Sequence, residues 1–185
     1  MACWRSIVSV AVALALAGCG TKLPSLATVP GFVLTDHTGV TFNSESVLHG
    51  QVWVANFMFT NCPGPCPRMS SQIRQVQTAL DGQSIKLVSL TVDPARDTPE
   101  VLAKYAEFYH ASPGVWYFLT GPQETLNHLD RDVFKLGSVD GSLDHSTRFI
   151  LVDRQSQIRG YYLSSDVDAI SRLIADAKTL LKERS

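Results

Sequence analysis

Two cysteines, Cys62 and Cys66, are the residues of this chain best placed to do chemistry. They stand in Phe57-Met58-Phe59-Thr60-Asn61-Cys62-Pro63-Gly64-Pro65-Cys66-Pro67-Arg68-Met69, between an apolar run (Val52 to Phe59) and a helical pattern (Arg68 to Leu80). Each is followed by proline, so neither belongs inside an ordinary helix. Pro67 suits a first helical position, where a missing N–H costs nothing. That places Cys66 near a helix N-cap, with Cys62 just ahead of it on the loop. Unpaired N–H groups and the positive helix end there are expected to favour a thiolate and lower its pKa. The three-residue spacer can close a disulfide, or let both sulfurs converge on one metal ion. Two thiolates make a soft site, suited to Cu(I) rather than to Mg²⁺ or Ca²⁺. A purely structural bridge is the competing reading, but closing so short a loop stabilises little.

A third donor would complete a soft-metal site. His145, in Leu143-Asp144-His145-Ser146-Thr147-Arg148-Phe149-Ile150, lies on a loop leading into a strand, where a side chain can face a neighbouring loop. Position alone also fits a surface histidine beside an aspartate. His37, His49, His110 and His128 fall in turns, at a helix end or on a helix face and read as solvated. Asp93 directly follows a strand that should neighbour the cysteine strand. It caps the polar loop there or supports the cysteines from behind. Met69 reads as core or rim packing.

The elements that must hold these residues can be read in order. Phe32-Val33-Leu34 and Val40-Thr41-Phe42 flank a turn at Asp36-His37-Thr38-Gly39 and predict a hairpin. Ser44 to Leu48 fits one helical turn. Val52–Phe59 is almost continuously apolar, as a strand covered on both faces should be. Helix 68–80 ends at Asp81-Gly82, and Ile85–Val92 is a second buried strand. Thr98 is a natural N-cap and Pro99 a first helical residue for a helix to about His110. Strand Val115–Leu119, helix Gln123–Phe134, loop Gly137–Asp144, a hairpin of Phe149–Val152 with Ile158–Leu163, and helix Asp166–Arg184 complete the pattern. Strands alternating with helices imply an α/β sandwich with parallel crossovers. The closing hairpin and helix make it a thioredoxin-like fold with an N-terminal β-hairpin extension.

The chain has 185 residues, 45% hydrophobic and 18% charged, with a formal net charge of -1. This describes one globular domain and, lacking a basic tract, gives no footprint for nucleic acid. Residues 1–18 read as an export signal: Arg5 precedes an apolar run, Ile7 to Ala17, that is short for a membrane span. Leu16-Ala17-Gly18-Cys19 resembles the bacterial lipobox, which makes Cys19 the expected lipid-bearing residue. Residues 19–30 read as lipidated N-terminus and tether, and 31–185 as the folded domain.

Three segments together resemble the Sco/SenC family. Thr60-Asn61-Cys62-Pro63-Gly64-Pro65-Cys66-Pro67 is similar to its T-x-C-P-x-x-C-P motif. Val92-Asp93-Pro94-Ala95-Arg96-Asp97-Thr98-Pro99 is similar to V-D-P-x-R-D-T-P, and Asp144-His145-Ser146 to its D-H-S. The resemblance implies a membrane-tethered, thioredoxin-like copper protein that helps assemble the CuA centre of cytochrome c oxidase. It implies Cys62, Cys66 and His145 as copper ligands. It also implies, as partners, the oxidase subunit carrying CuA and an extracytoplasmic thiol reductant that keeps the pair open. The expected location is the bacterial cell envelope, on the periplasmic or exterior side. Gly64 departs from the family, which often has an acidic residue directly after the first Cys-Pro. Two other functions use the same residues: a thiol-disulfide oxidoreductase that keeps the CuA-site cysteines reduced, and a copper or redox sensor. His145 separates the first from copper delivery, because thiol exchange needs no third donor.

Overall fold

The computed structural model describes residues 22–135 and 147–183. At its centre is strand β4 (Val52–Met58), in which every residue is buried. It pairs in parallel with β5 (Ile85–Thr91), and β5 in parallel with β6 (Trp116–Thr120). Helices α2 (Cys66–Ala79) and α3 (Pro99–Phe108) make the two crossovers. Both crossovers lie on one face, as successive right-handed connections along a sheet require. Their side chains Met69, Ile73, Val76, Leu102 and Ala106 share a single apolar cluster with Val54, Met58 and Leu87.

On the other side of β4 runs β7 (Arg148–Val152), antiparallel to it, followed by β8 (Gln157–Leu163) antiparallel to β7. Helix α5 (Ala169–Lys182) then returns across the α2 face, burying Leu173, Ala177 and Leu180. The N-terminal strands β2 (Val33–Asp36) and β3 (Thr41–Asn43) form the expected hairpin and extend the sheet beyond β6. A short helix α1 (Ser44–Val47), capped by the Asn43 carboxamide, follows. Helix α4 (Gln123–His128) covers the opposite face.

Most elements fall where the pattern of the sequence places them. Thr98 caps α3 by accepting the Val101 N–H, with Pro99 as first helical residue. Helix α2 begins earlier than Arg68, at Cys66 itself, with Pro65 as N-cap. Helix 123–134 is broken differently: α4 gives way to a π-helical turn, Leu129–Val133, with the Phe134 N–H bonded to the Leu129 carbonyl at 2.8 Å. The wider turn brings Leu129, Val133 and Phe134 into the core together.

The larger departure concerns the tether. Within it, residues 22–30 lie along β8. Strand β1 (Ala27–Thr28) pairs antiparallel with Ile158 and Gln157. The Leu26 N–H bonds the Ile158 carbonyl and the Val29 N–H the Ser156 carbonyl. Arg159, only 5% exposed, donates to the carbonyls of Leu23 (2.6 Å) and Pro24 (2.8 Å) and to Asp153 (2.7 Å). A buried guanidinium needs several acceptors to be tolerated, and this segment supplies two of them. Arg159→Ala is expected to cost about 3–5 kcal/mol of stability, read as a lower urea midpoint.

Candidate copper site

The cysteine loop sits at the carboxyl end of β4, where the chain leaves the sheet and enters α2. Cys62 and Cys66 are both free thiols. Cys62 is 9% exposed and Cys66 fully buried, in one apolar cluster with Met58, Met69 and Phe149. The two thiols hydrogen-bond one another. This burial overturns the expected lowering at the helix end. Removal from water, first, and the Cys62 hydrogen bond, second, push the Cys66 thiol up from an ordinary value near 9 to about 12. A backbone hydrogen bond from Phe59 acts in the other direction and is outweighed. Helix-terminus effects reach about 1 kcal/mol in most settings, whereas full burial shifts a group by several units.

The acid nearest this loop in function is Asp97. It is 1% exposed and lies 37 positions from Thr60. Its carboxylate accepts the Thr60 N–H at 3.1 Å and short hydrogen bonds from the hydroxyls of Thr60 and Thr91. Thr60 is the last residue but one before Cys62, and Thr91 ends β5, so Asp97 ties the cysteine loop to the neighbouring strand. Its negative charge adds to the upward pressure on Cys66. Asp93 does something else. Its carboxylate pairs at 3.1 Å with the exposed Arg96, and its carbonyl accepts the N–H groups of Arg96 and Asp97. Asp93 therefore shapes the loop, and Asp97 is the residue behind the cysteines. The sequence contains the signal for Asp97, in the D-T-P segment, but not its pairing with Thr60.

From α3, Tyr105 bonds Ser70 at 3.0 Å and Tyr109 donates to the Pro67 carbonyl at 3.4 Å, so both brace the first turns of α2. Gly64 is exposed, and a Cβ there would meet no atom within 4 Å. A side chain at this position would stand in open space, so glycine here leaves the packing of the loop unchanged. His145 and Cys19 lie outside the described residues. Among the described residues no group of three or more His, Cys, Asp or Glu side chains is arranged to hold a metal ion. His49, His110 and His128 are exposed, and His128 pairs with Asp132 at 2.8 Å. His37 is not solvated as expected. It is half-buried against the Phe118 ring, and its Nδ1 accepts the Phe118 N–H at 3.3 Å. Burial consequently lowers its pKa.

The buried cysteine pair thus sits at the junction of β4 and α2. Residues 21–182 match the SCO1/SenC family. The chain belongs to that family. A SCO1/SenC family lipoprotein from Bacillus anthracis superposes with a TM-score of 0.76 at 29% identity, covering 84% of this chain and 96% of that one. BsSco, a member of the Sco family of cytochrome c oxidase assembly proteins in which a disulfide switch was identified, gives 0.75 at 28% identity, covering 88% and 98%. ScoI of Bradyrhizobium japonicum, solved with copper bound, gives 0.68 at 25%, covering 83% and 99%. The Sco fold of this chain is therefore thioredoxin-like, with the β2–β3 hairpin added at the β6 edge.

The raised thiol has a pH consequence. A group that holds its proton more tightly when folded contributes stability below its unfolded pKa, and that contribution is lost as pH rises toward the folded value. The reduced protein is expected to lose stability progressively between about pH 9 and about pH 12. In urea titrations Cys66→Ala should remove the part of the loss that begins near pH 9. It should leave the part due to the buried tyrosines, Tyr105 and Tyr162 among them, whose hydroxyls burial also holds protonated. At pH 8, iodoacetamide should modify Cys62 well before Cys66. Asp97→Ala, which strands three donors, is expected to cost about 3 kcal/mol and to raise the alkylation rate of both cysteines.

Proposed function

We propose that this protein is an extracytoplasmic copper-transfer protein, lipid-anchored through Cys19, that binds copper through Cys62, Cys66 and His145 and helps assemble the CuA centre of cytochrome c oxidase. The observation that carries this reading is the pair of free, adjacent, buried thiols held at the strand-to-helix junction. Two sulfurs in an apolar pocket form a donor set that fits a soft, weakly hydrated ion. The solved relatives support the assignment: one holds copper and another belongs to an oxidase-assembly family. The lipobox-like segment at Cys19, together with a lipoprotein among the relatives, supports the anchor.

In this reading Cys62 and Cys66 contribute their sulfurs and give up two protons as copper arrives. His145 completes the set. Thr60 and Asp97 hold the loop so that both sulfurs stay on one side of the junction. Outside the cytoplasm the pair is prone to oxidation, so an extracytoplasmic thiol reductant must return it to the dithiol before each loading. Delivery then proceeds by ligand exchange to the oxidase subunit that carries CuA. The oxidoreductase reading uses the same pair. Cys62, the more exposed thiol, would attack a disulfide, and Cys66, buried and held protonated, would resolve the mixed disulfide, so His145 is the residue that separates the two readings.

The test is anaerobic copper binding to the reduced protein. One Cu(I) per chain is expected, abolished in Cys62→Ala and Cys66→Ala. His145→Ala should weaken it tenfold or more and alter the thiolate charge-transfer band of the Cu(II) form. Binding indifferent to His145, beside efficient reduction of a disulfide substrate, would replace copper transfer with thiol exchange.

A further inference from the structure

We infer that the carboxyl-terminal half of α5, together with the docked segment before β1, is a bilayer-facing surface. This rests on the reading of Cys19 as the lipid-bearing residue. The argument starts from length. The chain is fixed to the domain from Leu23 onward: the Arg159 guanidinium holds the Leu23 and Pro24 carbonyls, and Leu23 packs against the apolar core. Between Cys19 and Leu23 there are four peptide steps, which span at most about 14 Å. A lipid at Cys19 therefore leaves the domain little freedom to stand away from the membrane. The surface around Leu23 must lie within about that distance of the headgroups, close to the range over which their charge is felt in salt.

The residues around that exit point suit an anionic surface. Arg159, which grips Leu23, also lies 3.5 Å from the Glu183 carboxylate, so the end of α5 is adjacent to the exit. Arg154 holds the same end by donating to the carbonyls of Leu180, Leu181 and Glu183. Lys178 and Lys182 lie one turn apart on the outward face of α5, both exposed, and Lys22 is exposed at the exit itself. The acids nearby are paired, Glu183 with Arg159 at 3.5 Å while still about a third exposed, and Asp176 with the Tyr162 hydroxyl at 2.7 Å. Farther along α5 the charge pattern changes: Arg172 is paired with Asp166 and Asp168. The basic character is thus confined to the half of the helix nearest the tether. Its occupant is an anionic lipid bilayer.

The cysteine loop is at the other end of the sheet. The Gly50 N–H bonds the Arg154 carbonyl at 3.2 Å, which places the end of α5 beside the start of β4, while the loop follows the end of β4. Membrane contact at the tether end therefore leaves the Pro63–Pro65 loop uncovered.

The test uses the lipidated full-length protein in vesicles of phosphatidylethanolamine and phosphatidylglycerol, with a spin label carried by an unnatural residue at position 179 or at position 61. Relaxation by a nickel-chelating lipid is expected to be at least fivefold stronger at 179 than at 61. The difference should fall in Lys178→Glu/Lys182→Glu and after insertion of ten Gly-Ser residues between Thr21 and Lys22. Equal relaxation at the two positions in protein that floats with the vesicles would overturn the docking surface and leave the anchor intact. Protein that fails to float, like a Cys19→Ser control, would overturn the anchor and the surface with it.

Discussion

A buried carboxylate survives only where donors replace its water, and Asp97 has such donors in Thr60 and Thr91. The rest of the site depends on this constraint. The segment from Asn61 to Pro65 has two prolines, one glycine and no regular pairing, and is held at its base by Thr60. The donors come from the end of β4 and the end of β5, so the parallel strand pair and the cysteine loop form one unit. The same carboxylate presses upward on the Cys66 thiol. Anchoring the loop and disfavouring its thiolate are two effects of one charge.

The Cys66 thiol is accordingly held as a neutral group, and both sulfurs lie in an apolar cluster with Met58, Met69 and Phe149. A soft cation that takes both sulfurs must displace their protons, so its apparent affinity rises with pH. The arrangement stabilises the unloaded form through burial, and sets against it a strong preference of the sulfurs for the right ion. The braces from Tyr105 and Tyr109 hold the first turns of α2 beside this cluster.

Much of this was legible in the sequence, because it is local. The continuous apolar run marks β4, Thr98-Pro99 marks the start of α3, and the cysteines flanked by prolines mark the junction. What the sequence misses is tertiary. Residues 22–30 have the composition of a linker, yet their carbonyls are claimed by Arg159, some 135 positions away. Thr60 and Asp97 each stand in a visible motif, and nothing local joins them. The helix-end argument for a low thiol pKa considered only the neighbouring turn, while burial is decided by Phe149 and α3, far away in the chain. The π-helical turn after α4 shares the apolar spacing of an ordinary helix and differs only in which carbonyl Phe134 meets.

The exposed rim of the loop, Asn61, Pro63 and Gly64, covers sulfurs that solvent barely touches. Solution therefore reaches Cys62 before Cys66, so the order in which the two sulfurs meet an incoming reagent is set by the shape of the junction and not by which sulfur would bind it more strongly.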